Sequence, residues 1–247
     1  MNSVKLSIVV PTYNESDRIE RTLDDLTEFL SKKDFKWEIV VSDDGSTDDT
    51  LCIVDSWINS SQIFTNGEIR KFSLPHKGKG SAIKLGMLEA EGELRFMCDA
   101  DFAMSADQID DFLRNMEKGY DIVIGSREIA GATRLNEPLL RHLMGKIFNF
   151  LVSFIVVKGF RDTQCGYKCF TSASAKTLFG AQKLNGWSFD VEILMLARKR
   201  DMKIYEMPIV WHHRDKSKVS AISASVEMIR DTILTKIRYI SGDYSDF

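Results

Sequence analysis

Two aspartates separated by a single residue, Asp99 and Asp101, are the side chains in this sequence best suited to chemistry. They follow the mostly apolar run Leu94–Cys98, which predicts a buried strand. Carboxylates at positions i and i+2 of a strand end can turn toward one cation, and Mg²⁺ or Mn²⁺ usually sits between one or two carboxylates and substrate phosphates. Asp99 and Asp101 are therefore predicted to hold one of these metals.

Two further polar loops follow earlier apolar runs, and the first is Pro11–Glu15. Ligands of open α/β sheets bind outside the carboxyl ends of the strands, where such loops meet. At that position Tyr13 can stack on a base, and Glu15 can accept hydrogen bonds from a base or a ribose. The alternative is an ordinary turn before a helix that Ser16 or Asp17 caps.

The second loop is Asp43-Asp44-Gly45-Ser46. A carboxylate at this point can accept the ring N–H of uracil or guanine, and Gly45 allows a close approach of the backbone. These residue types are also normal in an N-cap and turn, so both interpretations stay open.

The loop Lys77–Ser81 precedes a predicted helix and has a composition suited to phosphate. It is not a dinucleotide-binding fingerprint, because Ile83 stands where the last glycine belongs, and it lacks the Ser or Thr of a Walker loop. It is either a loop over a nucleotide or diphosphate, with Lys79 as its cation, or a solvated basic turn.

Alternating strand and helix patterns must position these loops. The predicted strands are Leu6–Val10, Trp37–Val41, Glu68–Leu74, Leu94–Cys98, Tyr120–Ile124 and Lys203–Ile209. The predicted helices are Asp17–Leu30, a segment from Asp48 through Trp57, Gly80–Glu91, Leu139–Val157, Phe189–Arg200 and Ser223–Ile240. This order predicts an α/β fold, a doubly wound and mostly parallel sheet with helices on both faces.

Composition limits the function classes. The 247 residues carry a net charge of −3, so there is no general basic field for nucleic acid. The four cysteines indicate reduced thiols in an intracellular protein, no signal peptide is recognised at Met1, and the apolar run Ile147–Val157 is too short to span a bilayer. We expect one domain over 1–247, with a nucleotide-sugar-binding half at 1–124 and an acceptor half at 125–247.

Further motifs continue the pattern beyond the first three loops, and they stand at Gly125-Ser126-Arg127, Arg161–Phe170, Trp187–Glu192 and Ser217-Lys218. With them the chain resembles the family 2 glycosyltransferases of the GT-A fold. Over about Leu6 to Gly242 it is most similar to the dolichyl-phosphate (polyprenyl-phosphate) sugar transferases, in particular their β-glucosyltransferase branch. The Arg161–Phe170 block is the most specific of these motifs.

The resemblance implies transfer of glucose from UDP-glucose to dolichyl or another polyprenyl phosphate, with inversion. It implies a nucleotide-sugar site formed by Pro11, Tyr13, Glu15, Asp43, Asp44, Lys79 and Asp99. Asp99 and Asp101 would bind Mg²⁺ or Mn²⁺. Arg127, Lys168 and Lys218 would bind the donor diphosphate or the acceptor phosphate, and Asp101, Arg127 and Asp190 would act in catalysis.

Two departures from mannosyl-transferring relatives weaken a GDP-mannose interpretation: Ala103 stands where those tend to have Gln, and His212 where they tend to have Arg. The first leaves a metal with fewer protein ligands. The alternatives are a GDP-mannose-using transferase, a family 2 enzyme with a soluble hydroxyl acceptor, a nucleotide-sugar-binding subunit without turnover, and a nucleotidyltransferase.

The acceptor requires little proton chemistry. A phosphate monoester has a second pKa of about 6 and is already a nucleophilic anion near neutral pH. Asp190 and Glu192 are candidates for a general base, but packing or helix capping is the more ordinary role for both.

A polyprenyl acceptor lies in a bilayer, so the enzyme must reach one. Ser223–Ile240 has apolar residues at helical spacing with basic residues nearby, which suits a membrane interface, although such a stripe more often packs on a core. With Ile147–Val157 it would form a cradle for the prenyl chain. We expect a peripheral protein at the cytoplasmic face of a membrane, with a homo-oligomer or a membrane partner subunit as further options.

Overall fold

The computed structural model describes residues 3–59, 64–136, 159–212 and 221–245, with side chains in the last stretch from residue 227 onward. The predicted helix Leu139–Val157, including Ile147–Val157, and the predicted phosphate ligand Lys218 lie outside these described residues.

The described residues form nine strands in two sheets. In chain order they are β1 (Leu6–Thr12), β2 (Trp37–Asp43), β3 (Gly67–Ser73), β4 (Leu94–Met97), β5 (Ile122–Ser126), β6 (Thr133–Leu135), β7 (Lys168–Thr171), β8 (Ile204–Pro208) and β9 (Val210–His212). Seven strands form the main sheet in the order β3-β2-β1-β4-β7-β5-β8, and β6 pairs with β9. Within the main sheet only β7 runs antiparallel to its neighbours, so the predicted mostly parallel sheet is confirmed.

Seven helices are described: α1 (Ile19–Ser31), α2 (Thr50–Asn59), α3 (Lys79–Glu89), α4 (Ile109–Met116), α5 (Ser172–Ala181), α6 (Phe189–Lys199) and α7 (Ala221–Ser241). Residues of α1, α2 and α4 pack in one apolar core, and residues of α3, α5 and α6 pack in a second. Helices therefore cover both faces of the main sheet, as the sequence predicts.

The alternation of side chains along the strands explains the two cores. On β1, Leu6, Ile8 and Val10 point to the core that contains α1, whereas Val9 points to the core that contains α3. Every residue of β1 and β2 is buried, because both faces of these strands are covered. This packing holds the ends of the central strands in place.

Several elements differ from the predictions. Strand β7 was expected only as part of a compact block, yet it lies between β4 and β5. Helices α4 and α5 and the small sheet of β6 and β9 were not predicted. Helix α1 begins at Ile19 after Arg18, and no side chain caps it, so the alternative in which Ser16 or Asp17 is the cap is wrong.

Two global expectations can be compared with the structure. All four cysteines are free thiols. Among the described residues, no helix combines the length and the apolar character needed to cross a bilayer.

Candidate active site

Three strand ends meet at one edge of the main sheet. Thr12 at the end of β1 lies beside Asp43 at the end of β2, and the backbone N–H of Cys98, just after β4, donates to the carbonyl of Val9. The loops that follow β1, β2 and β4 are therefore neighbours, and the first turn of α3 lies against them. The predicted polar loops thus share one site.

Asp43 supports the loop after β2 from inside the protein. Its buried carboxylate accepts hydrogen bonds from the hydroxyl of Thr12 (2.9 Å), the N–H of Gly45 (2.9 Å) and the N–H of Ser46 (2.8 Å). Gly45 has φ of +78°, and a Cβ there would lie 2.8 Å from the backbone nitrogen of His76. The backbone of Gly45 does make a close approach, but its partner is the backbone at His76. Asp43, expected among the nucleotide ligands, faces the loop and not the site.

Asp44 fastens the loop before α3. Its Oδ1 accepts from the N–H of Lys77 (2.9 Å), and its Oδ2 accepts from the N–H of Gly78 (2.8 Å). Nδ1 of His76 lies 2.8 Å from the same Oδ2. Because Asp44 is buried and both oxygens have backbone partners, the contact to a base that was predicted for it needs this loop to rearrange.

Tyr13 provides an aromatic surface at the rim. Its ring is 40% exposed and stacks on His76, with centroids 4.1 Å apart and 21° between the planes. Asn14, at φ of +55°, turns the chain after Tyr13 and accepts a hydrogen bond from the N–H of Thr47 (2.8 Å). The sequence prediction missed His76, although it directly precedes the basic loop. Pro11 is buried within β1 and carries no exposed surface for a ligand.

An arginine that the sequence prediction missed joins two of the loops. Nε of Arg18 lies 2.9 Å from Oε2 of Glu15, and its Nη1 lies 4.0 Å from Oδ2 of Asp101. The i, i+3 spacing of Glu15 and Arg18 at the start of a helix is the signal that could have revealed it.

The two predicted metal ligands lie in a tight turn that faces solvent. The side chains of Asp99 and Asp101 are 32% and 30% exposed. The N–H of Phe102 donates to the carbonyl of Asp99 (3.1 Å), and Phe102 has φ of +39° although it is not glycine. Such backbone strain is typical of functional sites.

Lys79, at the first position of α3, forms an ion pair with Oδ1 of Asp99. Its ammonium group also lies 5.3 Å from the ring centroid of Trp187. Burial opposes the charge on each partner, but their attraction outweighs it: the pKa of Lys79 is raised by Asp99 and Asp190, and the pKa of Asp99 is lowered by Lys79. Both groups are charged at neutral pH.

Gly166 gives Asp99 its space. A Cβ at Gly166 would lie 2.1 Å from Oδ2 of Asp99, so the carboxylate would have to move to make room for it. This explains in physical terms why the Arg161–Phe170 block needs a glycine at this position.

Behind Asp99 lies a buried ion pair of Lys168 and Asp190. Nζ of Lys168 is 2.5 Å from Oδ1 of Asp190 and 2.5 Å from the carbonyl of Cys165, and Lys168 has no exposed surface. Burial raises the pKa of Asp190, against the lowering effect of Lys168 and Lys79. The phosphate contact predicted for Lys168 would therefore require this pair to open.

Arg127 is also paired with a buried carboxylate. Its Nε and Nη2 donate to the two oxygens of the buried Asp162 (2.7 and 2.9 Å), and its guanidinium lies 5.5 Å from the ring centroid of Trp211. Burial would raise the pKa of Asp162, but the charge and hydrogen bonds of Arg127 lower it to about 2. Arg127 therefore adds positive charge to the site, while the N–H groups of its guanidinium are paired with the carboxylate of Asp162.

Glu192 does not suit a general base. It is wholly buried and accepts from the N–H of Lys183 (2.9 Å), the N–H of Leu184 (2.8 Å) and the hydroxyl of Tyr244 (2.5 Å). It joins α6 to the C-terminal end of the described chain, which is a structural role.

The carboxylate oxygens of the site suit a hard divalent cation as its ligands. The described residues contain no group of three or more His, Cys, Asp or Glu side chains that could enclose a metal. Two partly exposed carboxylates remain, and Mg²⁺ accepts such a set when substrate phosphates and water complete its shell. Asp99 and Asp101 fit a metal of that kind.

The glycosyl transferase family 2 model matches residues 7–178. The chain is 37% identical to dolichyl-phosphate beta-glucosyltransferase of Dictyostelium discoideum, over 98% of this chain and 77% of that protein. It is 34% identical to the Saccharomyces cerevisiae protein of that name, with the same coverage, and 32% identical to the Homo sapiens protein, over 96% and 76%.

Solved structures share the fold. Glucosyl-3-phosphoglycerate synthase from Mycobacterium tuberculosis, crystallised with Mn²⁺, UDP-glucose and glycerol 3-phosphate, matches with a TM-score of 0.67 at 17% identity, over 94% of this chain and 80% of that one. Its complex with Mn²⁺, UDP and glucosyl-3-phosphoglycerate matches with a TM-score of 0.64 at 18% identity, with the same coverage.

Proposed function

The chain belongs to glycosyl transferase family 2, and from this premise we propose that it transfers glucose from UDP-glucose to dolichyl phosphate or a related polyprenyl phosphate. The observation that carries the proposal is the pair of partly exposed carboxylates, Asp99 and Asp101, at the edge of the sheet. It is supported by relatives that match 98% of this chain and are named dolichyl-phosphate beta-glucosyltransferase. The anomeric carbon exchanges its bond to UDP for a bond to a phosphate oxygen of the acceptor, with inversion.

The donor nucleoside would lie along the loops after β1 and β2. The exposed ring of Tyr13 offers a stacking surface for the uracil, and Glu15 offers a carboxylate to the base or ribose. Pro11, Asp43 and Asp44 would shape this pocket through the backbone, since all three are buried. His76, which stacks on Tyr13, belongs to the same surface.

Asp99 and Asp101 would hold Mg²⁺ or Mn²⁺ together with the donor diphosphate, and the metal would neutralise the charge that develops on departing UDP. The side chains of Lys79 and Arg18 bring two further positive charges to the same carboxylates. Arg127 and Lys168 act from behind as fixed charges in a site of low dielectric constant.

The acceptor phosphate needs no general base, because it is an anion near neutral pH. Asp190 is paired with Lys168 inside the protein, so we assign it the task of fixing the charges around Asp99 and Lys79. Removing a proton from the acceptor is not part of this proposal.

The lipid acceptor would be reached through α7. The side chains of Asp231, Thr232 and Thr235 face inward, whereas Ile237 and Ile240 are 55% and 74% exposed. A helix that packs on a core buries its apolar side chains and exposes its polar ones, and these residues of α7 do the opposite. Apolar side chains in contact with lipid, with Lys236 near the headgroups, account for it. We place this surface at the cytoplasmic face of a membrane.

A transfer assay tests the proposal. Purified protein is incubated with Mg²⁺, radiolabelled UDP-glucose and dolichyl phosphate in detergent, and label in the organic phase is counted. We expect transfer by the wild type and a loss of at least about 100-fold in Asp101→Asn, because the leaving group loses its counter-charge. Asp107→Asn, an exposed aspartate nearby, is the matched control.

Other outcomes correct the proposal in defined ways. Transfer from GDP-mannose alone would keep the acceptor and change the donor. No lipid product from either donor, with UDP-glucose hydrolysed by water to glucose and UDP, would keep the donor and point to an acceptor absent from the assay, such as a soluble hydroxyl compound.

A further inference from the structure

Lys79 lies where it can compete with a metal ion. Its ammonium group pairs with Oδ1 of Asp99, one of the two carboxylates that suit a divalent cation. Arg18 similarly lies 4.0 Å from the other carboxylate, that of Asp101. Each proposed metal ligand thus has a protein cation beside it, and together these supply the two positive charges of a divalent ion.

The position of Lys79 also lets it reach a different partner. It is the first residue of α3, and its side chain is partly exposed and rests against Trp187. The N-terminus of a helix favours anions, and a diphosphate offers a lysine more negative charge than a single carboxylate. A lysine has four rotatable bonds in its stem, so a change of partner needs no movement of the backbone.

We propose that Lys79 is an exchangeable counter-ion for Asp99: it pairs with this carboxylate until the donor diphosphate draws it away, and the metal then gains Asp99. The inference rests on the metal site and UDP donor of the proposed function. Its consequence is that nucleotide and metal bind with strong positive coupling, because each removes an obstacle to the other. By linkage, the coupling is the same whichever ligand binds first.

Binding measurements without sugar or lipid test this. The affinity for Mn²⁺ is measured by the electron paramagnetic resonance signal of the free ion, with and without saturating UDP. We expect UDP to tighten Mn²⁺ binding by at least about tenfold in the wild type. In Lys79→Met we expect tighter binding of Mn²⁺ alone and a coupling to UDP that is at least about threefold smaller than in the wild type, the remainder coming from direct contact between the metal and the diphosphate. Lys79→Gln provides a second variant with a polar side chain.

Lys84→Met is the matched control. It removes the same charge from the same helix, but Nζ of Lys84 donates to the carbonyl of Gln182 (2.7 Å) and not to the site. We expect it to keep the coupling of the wild type. A Lys79 variant that binds Mn²⁺ more tightly by the same factor with and without UDP would overturn the exchange, since that pattern reflects simple repulsion.

Two more outcomes are decisive. Unchanged Mn²⁺ affinity in both Lys79 variants without UDP would also overturn the proposal, because Lys79 would then not compete for Asp99. Reduced coupling in both variants, together with no transfer to dolichyl phosphate by the wild type, would support the exchange and refute only the lipid acceptor. Failure of this inference and failure of the proposed function are therefore distinguishable.

Discussion

The ion pairs of Arg127 with Asp162 and of Lys168 with Asp190 take the charge of four side chains out of water directly behind the exposed carboxylates. Charges in such a position are costly unless they are paired and hydrogen-bonded, and all four are. Their arrangement suits a site that must stabilise a leaving anion without moving its own groups during the reaction.

The Arg127–Asp162 pair leads to a prediction about acid stability. The pKa of Asp162 is about 2 in the folded protein, and an unfolded aspartate has a pKa near 3.9. The carboxylate therefore stabilises the fold by about 2 kcal/mol above pH ~4, and this contribution is lost as the pH falls toward ~2. Asp162→Asn should lower the free energy of unfolding by about 3 kcal/mol at neutral pH, because it leaves the partly buried guanidinium of Arg127 without its carboxylate partner.

Urea unfolding of both proteins as a function of pH checks this prediction. The gap in unfolding free energy between wild type and variant should narrow as the pH falls from about 4 toward about 2, because the unfolded wild type then takes up a proton that the folded protein does not. Asp107→Asn, which changes an exposed residue, should have almost the same free energy of unfolding as the wild type. A gap that stays constant down to pH ~2 would mean that the pKa of Asp162 is not depressed.

Single residues also show the limit of prediction from sequence. Asp99 and Asp101 could be selected because their types and spacing after a strand carry information. The sequence does not show that Lys168 pairs with Asp190, since they are distant along the chain and only the packing of α6 on the sheet brings them together. Long-range ion pairs of this kind follow from the fold and not from a local pattern.

At the scale of elements, the insertion of β7 between β4 and β5 determines the site. Strand β7 begins within the Arg161–Phe170 block and runs antiparallel to β4, so it brings Gly166 against Asp99 just beyond the end of β4. A glycine at this position leaves the carboxylate of Asp99 in place, since any Cβ would displace it.

Gly166→Ala should therefore impair the site more than the fold. The added methyl group must displace Asp99, so we expect Mn²⁺ affinity and glucose transfer to fall by at least about tenfold. The control is Gly180→Ala in α5, where a Cβ would meet nothing within 4 Å. That change should raise stability by up to about 1 kcal/mol and leave activity intact.

Equal activity in the two glycine variants would contradict this prediction, because it would show that the turn at Asp99 can shift without loss of activity. Thermal unfolding of both proteins separates a local effect from a general loss of stability. A large fall in the stability of Gly166→Ala would instead assign the glycine to the core.

The elements differed in how well the sequence predicted them. Strands β1 and β2 were clear because each is a continuous apolar run, and α1 because Ile19, Leu23, Leu26 and Leu30 follow the helical period. Strand β7 is short and includes the charged Lys168, so its apolar signal is weak. Its place in the sheet depends on partners that are far away in sequence.

At the scale of the whole molecule, the proposed function requires the polar edge of the sheet and the apolar surface of α7 to serve one lipid-linked substrate. Each core contains residues from both halves of the chain: Ile8 and Met207 share one, and Val9 and Tyr244 share the other. The division at residue 124 into donor and acceptor halves stays a prediction about function.

Lipid binding provides the prediction at this scale. Ile237→Glu should reduce co-sedimentation with vesicles of phosphatidylcholine and phosphatidylserine several-fold, because a charge replaces an apolar side chain in the interface. Ile58→Glu, an equally simple exchange of an exposed isoleucine on α2, is the matched control. Transfer to a dolichyl phosphate in vesicles should fall with binding, while Mn²⁺ affinity stays constant.

If both isoleucine variants bind vesicles like the wild type, α7 does not provide the contact with lipid. Equal loss in both would indicate unspecific destabilisation. Only selective loss in Ile237→Glu supports the surface proposed for α7.

Because Lys79 contacts Trp187, we expect binding of the donor nucleotide to change the tryptophan fluorescence of the protein. Of the four tryptophans, Trp37 and Trp57 are buried in the core, Trp211 lies beside Arg127, and Trp187 is 39% exposed next to the one lysine that we expect to change partner. Indole emission responds to a nearby charge, so UDP with Mn²⁺ should change the fluorescence of the wild type and leave that of Trp187→Phe unchanged. The protein therefore contains its own optical probe, with which the loading of each ligand can be followed in real time without any label.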